Sequence, residues 1–164
     1  MFNSKIQTLR ILALSGVALA AFAATPALAA DTAELEVGAD VVEVCNVTTT
    51  AIDFGDVDVT AAANKDATGG FSVICTSGAS WTVAANEGNG TSATPTNRKM
   101  MSSTNVLNYA LYNEVGRTTN FTGATGEGTG AAQASTIYGR VPGSQNSLPA
   151  GAYADSVTIT VTVS

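Results

Sequence analysis

The chain has no histidine, and that absence removes much of enzyme chemistry at once. Neither a Ser-His-Asp nor a Cys-His arrangement can be built without an imidazole to move the proton. Cysteine is scarce as well. Cys45 and Cys75 are the two in 164 residues, and their spacing, with no histidine, excludes a C-x-x-C redox site and a zinc cluster. Seven basic residues face thirteen acidic ones. Clustered Lys and Arg are what phosphate contacts need, so binding to nucleic acid or an anionic membrane through a basic face is excluded. Strong helix formers are few in any long window. The apolar run ILALSGVALAAFA (11–23) is shorter than the ~20 helical residues that span a bilayer.

What is present is Thr, Val, Ala, Gly, Ser and Asn in quantity, the composition of strands joined by turns. The first thirty residues are of another kind. Lys5 and Arg10 precede the apolar run, and Ala27-Leu28-Ala29 fits a small-residue cleavage site, so residues 1–29 are expected to be a secretory signal peptide. Its removal leaves five basic and thirteen acidic residues, a net charge of −8. About 135 residues then remain, enough for one domain with a real core. In an exported chain an even cysteine count reads as one disulfide, Cys45 to Cys75. Its closed loop would restrict the unfolded chain by about 3.5 kcal/mol in the entropy model.

The stretch DTAELEVGADVVEVC (31–45) alternates from Ala33 to Val41. Ala33, Leu35, Val37, Ala39 and Val41 are apolar, and most residues between them are polar or glycine. The register shifts at Val41-Val42. This predicts a bend or bulge between a leading strand, 30–41, and a domain, 42–164, whose first strand lies near 42–49; one long bulged strand is the alternative. AIDFGD (51–56) ends in a Gly-Asp turn. Strands are expected at 69–77, 80–86, 105–114 and 134–143, with a brief edge strand at 98–101. Residues 87–97 read as a loop, and the glycine-rich 122–135 as a mobile one. The last segment, 152–164, sets Val157, Ile159, Val161 and Val163 on one face and Thr158, Thr160 and Thr162 on the other, with no later strand to lie beside it. Strands of this number and spacing suggest an immunoglobulin-like sandwich. Asp53, Asp56 and Asp58 could offer oxygen ligands to a hard cation, but they lack the spacing and distal Glu of an EF-hand and read as a solvated turn. No catalytic residue, metal site or cofactor is expected.

Taken together, Cys45, Asp53-Phe54-Gly55, Cys75, Trp81, Leu107, Tyr109, Leu111, Tyr112, Tyr138-Gly139-Arg140-Val141-Pro142, Gln145, Pro149-Ala150-Gly151, Tyr153 and Asp155 resemble the spore coat protein U domain family. That family includes the major subunits of archaic chaperone–usher pili. Relatives often carry a Trp-Gly pair where this chain has Phe121-Thr122-Gly123. The resemblance implies an all-β, incomplete immunoglobulin-like sandwich completed by donor-strand exchange. Phe54, Trp81, Tyr109 and Tyr153 would then be core anchors, and Val157, Ile159, Val161 and Val163 would border the acceptor groove. The implied partners are identical or related subunits joined head to tail, a periplasmic chaperone and an outer-membrane usher. The implied place is a cell-surface filament, or fimbrium. A self-complemented secreted coat or matrix protein and a carbohydrate-binding adhesin module are the alternatives. An exposed Trp81 in a concave aromatic patch would favour the adhesin.

Overall fold

The computed structural model describes residues 30–163; the expected signal peptide lies outside the described residues. The chain divides between Gly38 and Ala39 into two units. Residues 30–38 contain no strand, and their side chains are exposed.

The second unit is all-β, with no helix among the described residues. Its strands are β1 (Cys45–Thr50), β2 (Lys65–Cys75), β3 (Ser80–Ala85), β4 (Arg98–Ser102), β5 (Asn105–Tyr112), β6 (Gly123–Glu127), β7 (Gln133–Val141) and β8 (Ile159–Val163). Two antiparallel sheets form, one ordered β1-β2-β7-β5-β4 and the other β6-β3-β8. This is an incomplete immunoglobulin-like sandwich, a five-stranded sheet faced by a three-stranded one. Side chains alternate across a strand, so one set from each turns inward. Phe71, Val73 and Cys75 of β2, Leu107, Tyr109 and Leu111 of β5, Ile137 and Val141 of β7, and Trp81, Val83 and Ala85 of β3 are buried together. On β8 the half-buried Ile159, Val161 and Val163 pack against them while Thr160 and Thr162 stay exposed. Cys45 lies directly opposite Cys75 in the β1–β2 ladder, and the two form the disulfide with Cα atoms 4.1 Å apart.

Several expected boundaries move, each for a reason visible in the partner strand. β1 begins at Cys45, not near 42, because β2 ends at Cys75 and a turn with Gly78 at φ +84° follows. Thr76 holds the residues before β1 instead: its amide donates to the Val44 carbonyl at 3.0 Å, and its hydroxyl accepts from the Val44 amide at 3.1 Å. β8 begins at Ile159, not at 152, because Ile159 pairs with Ala85, the last residue of β3. Val157 therefore precedes the strand. β2 starts earlier than expected, at Lys65, since Asp66 reaches across to β7 and accepts two bonds from Arg140 at 2.8 and 2.9 Å. Arg117 also lies 3.3 Å from Asp66, and the hydrogen bonds from Arg140 hold the Asp66 carboxyl below its usual range.

The larger correction concerns the glycine-rich segment. Residues 123–127 are not a mobile loop but the strand β6, paired along β3. Gly126 lies opposite Trp81, and a Cβ there would come within 2.4 Å of the indole ring. Glycine is required here by close approach to a large side chain, and a flexible loop would have no such need.

Candidate functional site

The two sheets do not cover each other completely. A groove of about 900 Å³ remains, floored by Met100, Leu107, Leu111 and Ile137 of the five-stranded sheet. One wall is the continuation of β1, residues 51–59; the other is the segment leading into β8, residues 148–159. β1 and β8 are each the edge strand of their own sheet. Among the described residues, no backbone–backbone hydrogen bond involves residues 51–57 or 155–157. Backbone amides and carbonyls left unpaired beside an apolar surface are a template for one more strand.

Local chemistry sets the first wall. Asp53 Oδ1 accepts the Gly55 amide at 2.8 Å, and Gly55 takes φ +58°, so the chain turns away from the β1–β2 ladder here. Ile52, Phe54, Val57 and Val59 point inward and Asp53, Asp56 and Asp58 outward. Phe54 meets Tyr109 edge-on, with ring centroids 6.3 Å apart. It lies over Gly139 of β7, where a Cβ would come within 2.7 Å of its ring. Asp58 closes its own turn, accepting from the amide and hydroxyl of Thr60 at 2.9 and 2.7 Å; these bonds lower its pKa. Among the described residues, no group of three or more His, Cys, Asp or Glu side chains is placed to hold a metal ion.

Asp155 fixes the second wall. Its Oδ2 accepts the Tyr109 hydroxyl at 2.7 Å, and its Oδ1 accepts the amides of Asn89 at 2.7 Å and Ser156 at 2.8 Å. One carboxylate thus ties the wall to the groove floor and to the loop after β3. Burial, reinforced by this carboxylate, raises the Tyr109 hydroxyl pKa far above its ordinary value. Tyr153 anchors the same wall by donating to the Pro149 carbonyl at 2.9 Å. Gln145 bonds β5 where the β7 ladder, paired only at Ala110–Tyr112, does not reach: its Oε1 accepts the Asn108 amide at 2.9 Å, and its Nε2 donates to the Asn108 carbonyl at 3.1 Å.

Of the residues expected from sequence, Phe54, Trp81 and Tyr109 are buried and Tyr153 is half-buried. A buried Trp81 withdraws the feature that would have favoured a carbohydrate-binding surface. Val157, Ile159, Val161 and Val163 turn one half-buried face to the core, and Val157 and Ile159 also line the groove. Ala33, Leu35, Val37, Ala39 and Val41 are in no strand, and Leu35, Val37 and Val41 are 87%, 87% and 88% exposed. Sequence reasoning missed the floor residues Met100 and Ile137 and the bonding role of Asp155. It also missed Arg98, read as part of an edge strand but fully buried. Its guanidinium donates to the carbonyls of Asn86 at 2.9 Å, Phe121 at 3.2 Å and Pro95, and burial lowers its pKa. The available signal was the alternation of Arg98 with Met100 on one face of β4.

Comparisons with known proteins bear on the family and the fold. Residues 31–160 match the Spore Coat Protein U domain. No curated protein matches the chain. Among solved structures, it is similar to a chain in the CsuC–CsuE chaperone–tip adhesion subunit pre-assembly complex from archaic chaperone–usher Csu pili of Acinetobacter baumannii. The TM-score is 0.54 at 17% identity, over 74% of this chain and 40% of that one, so this chain spans well under half the length of its neighbour. The likeness is one of fold.

Proposed function

The chain belongs to the Spore Coat Protein U domain family, and on that premise we propose that it is a structural subunit, a pilin, of an exported filament built by donor-strand exchange. The observation that carries this reading is the groove: an apolar floor between two wall segments in which residues 51–57 and 155–157 make no backbone–backbone hydrogen bonds. The donor is the leading segment of another copy, with Ala33, Leu35, Val37, Ala39 and Val41 entering the groove. Five alternate side chains span about 27 Å at ~3.4 Å per residue, the reach of a sandwich strand. If each buried ~60 Å² of apolar area, the gross gain would be about 7 kcal/mol before ordering costs. Main-chain bonds to both walls would add affinity and fix the register. Such a contact is heterologous, head to tail, and grows an open fibre in place of a closed ring.

A groove of this kind needs an occupant before the next subunit arrives. A periplasmic chaperone that lends a strand, and an outer-membrane usher where the exchange takes place, are the partners this reading requires. The destination is the cell surface. Removing residues 31–40 is expected to leave a domain that folds in the presence of such a chaperone and forms no polymer. Ladders in unboiled gels from that variant would refute the proposal.

A further inference from the structure

Resting on that reading, we infer that the addition of one copy's leading segment to another copy's groove is opposed by charge, and that salt accelerates it. The walls of the groove carry four carboxylates, Asp53, Asp56 and Asp58 on the outward face of one and Asp155 on the other, and no lysine or arginine lines it. The five basic residues of the described chain are engaged or placed elsewhere. Arg98 is buried among carbonyls, Arg117 and Arg140 hold Asp66, Lys99 donates to the Thr91 carbonyl at 3.1 Å, and Lys65 opens β2. The incoming strand carries the same sign. With Ala33, Leu35, Val37, Ala39 and Val41 turned into the groove, its other face presents Glu34, Glu36 and Asp40, flanked by Asp31 and Glu43. No base lies between residues 31 and 43.

Neighbouring strands lie ~4.8 Å apart, so carboxylates on the polar face of an inserted strand come within roughly 5–10 Å of those on the walls. The screening length is about 30 Å at 10 mM salt, about 10 Å at 0.1 M and shorter above that, so the repulsion is strong in the first condition and largely screened at 0.3 M. The effect is independent of strand direction, since both walls and both ends of the donor are acidic. It also sets a preference. A strand with the same apolar alternation but a basic polar face suits this groove better at low salt than the chain's own leading segment does. Copies therefore resist premature joining, while an earlier occupant of opposite charge is favoured.

The test immobilises the full exported chain sparsely on a surface, so that copies cannot meet, and flows two synthetic peptides of residues 31–42 over it. One has the native sequence; the other carries Glu34→Lys, Glu36→Lys and Asp40→Lys. The native peptide is expected to associate about tenfold faster in 300 mM than in 10 mM NaCl, the range over which steering forces change rates. The Lys peptide is expected to start about tenfold faster at 10 mM and to slow as salt rises. Equal rates for the two peptides with no opposing salt trends would overturn the inference while leaving strand addition intact. Failure of both peptides to bind at any salt would overturn strand addition itself, and the inference with it.

Discussion

Leu35→Ser together with Val37→Ser is expected to weaken association between copies by about a thousandfold while leaving the melting temperature of the isolated subunit unchanged. Both side chains are 87% exposed within their own chain, so their removal costs that chain no packing. Under donor-strand exchange they are the largest apolar groups at the centre of the inserted strand. Fully burying a Leu or Val contributes roughly 1.5–3 kcal/mol, and a hydroxyl set against the Leu107, Leu111 and Ile137 floor would lack a partner. Two such losses come to about 4 kcal/mol, or three orders of magnitude in a dissociation constant. Serine adds no charge, so the effect stays separate from the repulsion inferred above. Sedimentation of wild type and variant at matched concentrations measures it. A variant that associates as well as wild type would show that the leading segment is not what joins copies.

Asp155→Ala should have the largest effect on the subunit itself, about 3 kcal/mol of stability. The substitution strips the acceptor from three donors at once, the Tyr109 hydroxyl and the amides of Asn89 and Ser156. Hydrogen bonds to a charged group contribute about 1.5–3 kcal/mol each, and the total is reduced because Asp155 is half-buried and water reaches part of it. Asp155→Asn keeps an acceptor oxygen and should lose about 1 kcal/mol. In a Tyr109→Phe background the cost of Asp155→Ala should shrink by about 1 kcal/mol, because the buried hydroxyl left stranded in the single variant is then gone. Urea midpoints at constant slope report these differences.

The same hydroxyl has a signature in alkali. Its folded pKa is raised from 10.0, first by burial and then by Asp155. The contribution is therefore fully present below pH 10 and lost as pH rises above that value, because the unfolded chain then releases a proton that the folded one retains. Stability should fall by up to about 1.4 kcal/mol per pH unit there, and Tyr109→Phe should flatten the slope.

Much of the frame is legible in the residues, because it rests on local periodicity. The Val and Thr alternation of β8 fixes which face meets the core, and Leu107, Tyr109 and Leu111 do the same for β5. The disulfide follows from cysteine count and compartment, and the ladder places Cys45 opposite Cys75. What composition conceals is set at long range. Gly123 to Glu127 reads as a loop until Trp81, more than forty residues away, is laid against Gly126. Arg98 carries a charge that normally signals exposure, and only the tertiary fold brings three carbonyls to its guanidinium. The start of β2 is polar because its partner Arg140 lies 74 residues on. The groove is the least legible part. Its floor comes from three separate strands, and its walls are defined by bonds they do not make.

The most direct measurement is amide hydrogen exchange of the chain alone and after addition of the peptide 31–42 in 0.3 M salt. An open place in the sandwich between β1 and β8 requires the amides of residues 51–57 and 155–157, apart from the carboxylate-bound Gly55 and Ser156, to exchange rapidly in the free chain and to become protected together once the strand is bound. Protection confined to other strands, or walls already protected before the peptide is added, would contradict it.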